Sequence, residues 1–277
     1  MAEMSASQAG GPRRPFSVKR QTGFTTIAII CFVALYAPII TLVVYSFNSS
    51  LSIASWGGFS LQWYEAAWNN QQVQDASIRS VIIASFASVI ATTLATMAAL
   101  GTTRTRPYRG LTAIYAAINQ PLMVPEIVSA VALLIFFAMI KVATGYTGLG
   151  YLIAAHTAFC IPFAYLPIRA RLESMDLTLE TAAADLYATP WSTFRRVTLP
   201  LLWPGILAGA MLAFVISLDD VVITEFVKSA GQDTLPTYML GQLRRAVTPE
   251  MNAISTVFLA ISVAMVTIFF FLSRRRK

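Results

Sequence analysis

The chain has 277 residues, of which 56% are hydrophobic and 12% are charged. Soluble domains contain about a quarter charged residues, so this composition excludes an ordinary soluble protein and indicates a membrane protein. The formal net charge of +7 has a topological explanation, given below, and does not require a nucleic-acid partner.

Six segments are long and apolar enough to cross a bilayer, which takes about 20 mainly apolar residues. They cover residues 24–47, 77–100, 111–140, 150–168, 201–227 and 251–272. The third contains Pro121 and Pro125, which predict a kink or a tilt. The fourth is the weakest because His156 and two prolines lie inside it, so a five-span alternative stays open. The pattern predicts an all-α membrane protein with six transmembrane helices.

Basic residues are distributed unevenly around these spans. If both termini lie in the cytoplasm, 15 of the 20 basic residues fall on that side. The opposite side then holds Arg79, Lys141, Lys228, Arg244 and Arg245. This asymmetry follows the positive-inside rule. We therefore expect a cytoplasmic tail at 1–23, a six-span domain at 24–272 and a basic cytoplasmic tail at 273–277, with the basic tails near anionic membrane lipid.

A mostly polar segment, residues 177–200, separates the fourth span from the fifth and falls on the cytoplasmic side. Residues 182–186 can form a short helix, and Thr189 followed by Pro190 is typical of a helix start. The paired Arg195 and Arg196 follow shortly before the fifth span. The sequence predicts a helix-turn-helix here, which suits docking to a partner.

The fifth span carries two acids, Asp219 and Asp220, and the third carries Glu126. A helix that starts at 201 places Asp219 about 27 Å along its axis, in the outer part of a hydrocarbon core about 30 Å thick. Charged groups at such depth normally face a cavity, a partner or a transport pathway. We expect the three acids to line a pathway for a cationic solute. The alternatives are a structural hydrogen bond or an interface ion pair for the aspartates, and capping of amides freed by prolines for Glu126.

Small residues recur at every fourth position of the fifth span, at Gly205, Gly209, Ala213 and Ser217. A ridge of this kind lets transmembrane helices approach closely. We expect this ridge to pack at the pathway between two subunits. His156, by contrast, is expected to be a buried polar residue bonded to a neighbouring helix.

The chain contains no recognisable catalytic constellation. It has a single histidine, no CxxC pair and no glycine-rich phosphate-binding loop. We therefore expect no catalytic residues, no metal site and no bound cofactor. If the protein drives work, the energy source is expected on another subunit.

The cytoplasmic segment resembles the EAA loop of the permease subunits of ABC importers. The family pattern is Glu-Ala-Ala, three residues, Gly, nine residues, Ile or Val, one residue and Leu-Pro. The positions in register are Ala182, Ala183, Val197, Leu199 and Pro200. The resemblance implies docking to an ATPase subunit through Glu180, Thr181, Ala182, Ala183, Asp185, Leu186, Tyr187, Ala188, Pro190 and Arg195.

Two positions depart from the family pattern, since Thr181 stands at its Glu and Tyr187 at its Gly. Glu180 is placed to supply the acidic group, although a shift of one residue turns it about 100° around a helix. At Tyr187, either the turn uses an ordinary backbone conformation or the ring fills part of the ATPase cleft.

Further motifs are similar to the second permease subunit of spermidine/putrescine ABC importers. They are Leu-Tyr-Ala-Pro at 35–38, Ser-Leu-Asp-Asp-Val-Val-Ile-Thr at 217–224, Thr-Leu-Pro at 234–236 and Pro-Glu-Met-Asn-Ala at 249–253. The resemblance implies a MetI-like permease fold, polyamine import and a place in the bacterial inner membrane. It also implies three kinds of partner: a second homologous permease in a heterodimer, two ATPase subunits and a periplasmic substrate-binding protein.

Other functions stay open at this point. Importers of γ-aminobutyrate, opine-like or other amino compounds share these motifs. An ion-gradient secondary transporter is a further alternative, although the sequence shows no convincing internal repeat of the kind such carriers contain.

Overall fold

The structure, a computed structural model, describes residues 22–52, 55–105, 108–245 and 248–274. Over these residues it is built from helices, and its β-structure is limited to a bridge between Asn48 and Phe59. The helices are α1 (Thr22–Tyr45), α2 (Gln62–Asn69), α3 (Gln71–Thr103), α4 (Leu111–Met123), α5 (Glu126–Thr144), α6 (Gly150–Ser174), α7 (Thr178–Asp185), α8 (Pro190–Thr193), α9 (Leu199–Asp219), α10 (Val222–Val227), α11 (Leu235–Leu243) and α12 (Pro249–Arg274). A π-helical turn, Phe194–Thr198, joins α8 to α9. The predicted basic tails fall almost wholly outside the described residues.

Six helical stretches of the described chain are long and apolar enough to cross a membrane, which confirms the predicted number. They are Gly23–Tyr45, Gln71–Thr103, Glu126–Thr144, Gly150–Ser174, Pro190–Asp219 and Pro249–Ile268. The fourth, the weakest in the sequence, is one continuous helix of 25 residues that contains both Pro162 and Pro167. The five-span alternative is therefore wrong.

The third span is interrupted rather than kinked. Pro121 lies inside α4, but α4 ends at Met123, and Val124 adopts an extended conformation with φ −98° and ψ 138°. The residue before a proline is disfavoured in the helical region, which explains why Val124, preceding Pro125, leaves the helix. A new helix, α5, then begins with Glu126.

The fifth span is also shorter than predicted. The expectation of one helix over 201–227 is wrong, because α9 ends at Asp219 and α10 begins at Val222. Between them Asp220 is extended, with ψ 133°. Its carboxylate accepts the backbone N–H groups of Ile223 and Thr224, so it caps the new helix. The break therefore coincides with a new helix start whose first free N–H groups are bound by Asp220.

The core lies where α3, α6 and α9 pack together, and small side chains dominate it. Its fully buried members include Ala91, Ala95, Ala99, Cys160, Ala164, Tyr165, Ile168, Leu172, Leu202 and Ala213. A Cβ added at Gly205 would lie 2.6 Å from the Arg171 Cβ, and one at Gly209 would lie 2.7 Å from the Ala164 carbonyl oxygen. Glycine is therefore required for α9 to approach α6 this closely.

The position of this ridge corrects the sequence-based expectation. The ridge of Gly205, Gly209, Ala213 and Ser217 is buried against α6 of the same chain. It is therefore not available for packing at an interface between two subunits. The four-residue spacing identified a close helix contact correctly but carried no information about which helix would make it.

Helix α1 lies at the edge of the bundle and packs against α12. Its apolar side chains stay exposed along most of its length, for example Phe24 at 72%, Ile30 at 62% and Leu35 at 63%. Such a surface is compatible with lipid or with another apolar helix. Two polar features lie among the remaining helices. One is the segment that follows α6, and the other is a buried cluster inside the bundle.

Candidate functional site

The segment between α6 and α9 forms the predicted helix-turn-helix. Helix α7 starts at Thr178, four residues earlier than the predicted start at 182. The second helix starts as predicted: Thr189 is its N-cap, its hydroxyl accepts the Ser192 N–H at 3.3 Å, and Pro190 occupies the first turn. The π-helical turn then leads directly into α9.

Tyr187 has a left-handed backbone conformation, with φ 62°. Its N–H donates to the Ala184 carbonyl, and the Ala188 N–H donates to the Ala183 carbonyl, at 2.9 and 3.0 Å. This is the Schellman pattern that closes helix C-termini and that glycine normally serves. Of the two alternatives for Tyr187, an ordinary backbone conformation is therefore wrong. The turn keeps the geometry of a glycine although a tyrosine occupies it, which costs about 1 kcal/mol.

The Tyr187 side chain points away from the chain and is 96% exposed. Leu186 is 82% and Trp191 69% exposed, and the Trp191 ring stacks on Phe194 with a centroid separation of 5.6 Å. Large apolar groups this exposed are typical of interaction surfaces. We call Leu186, Tyr187 and Trp191 the coupling surface. Sequence reasoning missed Trp191, although an aromatic residue inside a polar segment between two spans was a usable signal.

The other residues expected to dock differ in their exposure to solvent. The exposed ones are Thr181, Ala182, Asp185, Pro190 and Arg195, and the half-buried ones are Glu180, Ala183 and Ala188. The Thr181 hydroxyl bonds back to the Leu177 carbonyl of its own helix at 3.1 Å.

Glu180 faces the interior of the chain. Its Oε1 accepts a hydrogen bond from Arg104 Nε at 3.3 Å and one from the Thr198 hydroxyl at 3.0 Å. The side chains of Glu180 and Arg104 are 22% and 18% exposed. The shift of one residue relative to the family pattern thus turns this acid toward α3 and α9 rather than outward.

The second polar feature is a buried cluster inside the bundle, formed by Asp220, His156, Ser217 and Thr224. The His156 Nδ1 is hydrogen-bonded to the Ser217 hydroxyl at 2.8 Å and its Nε2 to the Thr224 hydroxyl at 2.9 Å. Its Nε2 also lies 3.4 Å from Asp220 Oδ2. The expectation that His156 is a buried polar residue bonded to neighbouring helices is confirmed.

Asp220 is 7% exposed and uses both carboxylate oxygens within the chain. Oδ1 accepts the Ile223 N–H at 3.2 Å, and Oδ2 accepts the Thr224 N–H and hydroxyl at 2.9 and 2.8 Å. Buried charge is tolerated when it is hydrogen-bonded in this way. These contacts correspond to the structural hydrogen bond that the sequence left open for the aspartates.

Asp219 and Glu126 occupy more accessible positions at the two helix breaks. Asp219 is exposed at the end of α9, and the half-buried Glu126 is the first residue of α5. The Glu126 carboxyl lies beside that of Asp220, close enough for the side chains to interact. The break in the third span and the break in the fifth therefore meet. In the part of the chain that the structure describes, no group of three His, Cys, Asp or Glu residues has metal-binding geometry.

Comparisons with known proteins agree with this arrangement. Residues 91–276 match the family of binding-protein-dependent transport system inner membrane components. The spermidine/putrescine transport system permease protein PotC of Haemophilus influenzae is 37% identical over 89% of this chain and 94% of its own length. The putrescine transport system permease protein PotI of Escherichia coli strain K12 is 36% identical over 91% of both chains.

Solved structures share the fold. A chain of the bacterial ABC transporter that imports the acidic polysaccharide alginate superposes with a TM-score of 0.71 at 17% identity, covering 93% of this chain and 97% of its own. A chain of the MetNI methionine ABC transporter does so with a TM-score of 0.63 at 16% identity, covering 78% and 96%. The predicted MetI-like permease fold is confirmed, and the chain belongs to the family of inner membrane components of binding-protein-dependent transport systems.

Proposed function

We propose that this chain is a permease subunit of an ATP-driven importer of polyamines, with putrescine and spermidine as the solutes. The observation that carries this proposal is the 36–37% identity, over about nine tenths of the chain, to two permeases named for these solutes. The acids at the two helix breaks fit the same solutes, because polyamines carry several protonated amines and carboxylates attract them.

The energy would come from two separate ATPase subunits, which this permease contacts through its cytoplasmic segment. The coupling surface supports this part, since Leu186, Tyr187 and Trp191 present large exposed apolar groups and Arg195 is exposed as well. Aromatic anchors seated in a pocket commonly dominate protein interfaces. Closure of the ATPases would move this segment and switch the pathway between two states.

A second, homologous permease would complete the pathway, and a periplasmic binding protein would deliver the solute. We place the assembly in the bacterial inner membrane with both termini of this chain in the cytoplasm, because that orientation follows the positive-inside rule. The exposed apolar face of α1 would then meet lipid or the partner permease.

Within the pathway we assign different roles to the three acids. Asp219 and Glu126 would face the passing cation, since both are accessible at the breaks. Asp220 would hold the break in shape, because both of its oxygens are already engaged by backbone and hydroxyl donors.

The test is uptake by the complete importer reconstituted in liposomes with its binding protein. Labelled putrescine and spermidine should accumulate only with ATP and with intact ATPase subunits, and γ-aminobutyrate should not. Uptake driven by an ion gradient after inactivation of the ATPases would refute the importer assignment. Preferential uptake of γ-aminobutyrate would retain the importer and refute the solute.

A further inference from the structure

Three elements of the chain meet at the carboxylate of Glu180. The residue belongs to α7, its partner Arg104 follows directly after α3, and Thr198 is the last residue of the π-helical turn before α9. A single oxygen, Oε1, accepts from both partners, at 3.3 and 3.0 Å. We call this contact of Glu180, Arg104 and Thr198 the junction.

The junction lies on the side of α7 that faces the bundle. The coupling surface is exposed, whereas Glu180 is half-buried and Thr198 is 5% exposed. Helix α7 packs against α8 and the π-helical turn. The Arg104–Glu180 ion pair adds a charged link from α7 to α3, the helix at the centre of the core. A displacement of α7 therefore reaches two membrane-spanning helices through one carboxylate.

Two features indicate that the junction can rearrange. A π-helical turn stands at its α9 side, and single π-turns are frequent at functional sites in helices. Arg104 Nη2 is buried, and it has no hydrogen-bond partner among the described residues. A buried guanidinium nitrogen without an acceptor is unfavourable, so a small shift that gave it one would be stabilised.

We propose that Glu180 is a positioning residue that transmits movement of the cytoplasmic segment to α3 and α9, rather than a residue that contacts the ATPase. The proposal rests on the proposed function, since it assumes an ATPase docked at the coupling surface. It deepens that function by separating docking, which belongs to Leu186, Tyr187 and Trp191, from transmission, which belongs to the junction.

The experiment uses the complete importer with the variants Glu180→Gln, Arg104→Gln and the double variant. Each complex is purified through the permease, and the amount of bound ATPase, the ATP hydrolysis rate and putrescine uptake are measured on the same preparation. Glutamine keeps the shape of Glu180 and its ability to accept hydrogen bonds while it removes the charge. The matched control is Glu173→Gln, which removes the acid of an exposed Arg169–Glu173 pair within α6.

Both single variants should keep bound ATPase, and their uptake per ATP hydrolysed should fall about fivefold, since the charge-assisted part of the hydrogen bond contributes about 1 kcal/mol. The double variant should lose no more than either single variant, because the two residues act as one pair. The control should match the wild type. Thr198→Val should lower the same ratio, and Thr198→Ser, which restores the hydroxyl, should not.

Loss of bound ATPase from Glu180→Gln would overturn the proposal, because it would make Glu180 a docking contact. An unchanged ratio of uptake to hydrolysis, or additive losses in the double variant, would overturn it too. If the wild-type importer itself binds no ATPase, the proposed function fails, and that result differs from all of these.

Discussion

Replacing Asp220 by Asn should destabilise the bundle, because three buried hydrogen-bond donors have the Asp220 carboxylate as their acceptor. Thr224 donates its N–H and its hydroxyl to Oδ2, and the Ile223 N–H donates to Oδ1. Asparagine has one acceptor oxygen, so its amide NH₂ must face at least one of these buried donors. Hydrogen bonds to a charged group contribute about 1.5–3 kcal/mol each. We therefore expect a loss of about 3 kcal/mol in the free energy of unfolding.

Asp219→Asn is the matched control for this change, since the same substitution is made one residue earlier. Asp219 is exposed, and a surface substitution changes stability by about 0.5 kcal/mol or less. If Asp219 faces the cation, its loss should lower putrescine uptake about fivefold, because two unit charges about 4 Å apart in water attract each other by about 1 kcal/mol. The two variants should thus separate stability from transport.

The assay combines thermal unfolding of the detergent-purified permease with uptake by the reconstituted importer. Asp220→Asn should lower the unfolding temperature on the order of 10 °C, using the sensitivity of soluble domains as a guide. Asp219→Asn should leave that temperature unchanged and reduce the initial rate of uptake. The reasoning is refuted if Asp220→Asn unfolds at the wild-type temperature but blocks uptake, since Asp220 would then be the pathway residue.

Three further changes test other parts of the structure. Tyr187→Gly should stabilise the turn by about 1 kcal/mol, because glycine adopts the left-handed backbone conformation without strain. It should also weaken ATPase binding, because it removes the exposed ring. Stronger or equal binding in a pull-down titration would exclude the ring as an anchor. Gly209→Val should abolish stable expression, since a Cβ there would lie 2.7 Å from the Ala164 carbonyl oxygen; normal size-exclusion behaviour would contradict the α6–α9 packing. His156→Phe should destabilise the protein by about 1–3 kcal/mol, since it removes the partner of the Ser217 hydroxyl, whereas the Thr224 hydroxyl keeps its bond to Asp220. An unaltered melting curve would show that the cluster is not structural.

The sequence predicted the number of spans and the helix-turn-helix between the fourth and fifth spans because both depend on local patterns. Long apolar runs identify spans directly, and the Thr189-Pro190 pair identifies a helix start without any tertiary information. The break at Val124 could also be predicted from the sequence, since Pro125 disfavours a helical backbone conformation at the residue before it. In each case the decisive interaction lies within a few residues along the chain.

The second break was harder to predict because its signal has two interpretations. Aspartate is a preferred N-cap residue, and Asp220 precedes the apolar residues of α10 as a cap should. An aspartate inside an apolar span, however, also indicates a charged functional site. Only the position of His156, which is distant in sequence, shows that Asp220 belongs to a hydrogen-bonded cluster. The partner of the small-residue ridge was unpredictable for the same reason.

The two departures from the family pattern in the segment 177–200 together change the character of its surface. The acid is one residue early, which turns it about 100° around α7, and Glu180 consequently bonds Arg104 and Thr198. The turn keeps its left-handed conformation but carries a tyrosine, which adds an exposed ring beside Leu186 and Trp191. Relative to the family pattern, the acidic side chain therefore faces the interior of the chain and an aromatic side chain is exposed. We therefore expect the facing ATPase cleft to be lined by apolar groups at the position of Tyr187, and a cleft with only basic groups there would contradict the assignment of this ring as the anchor.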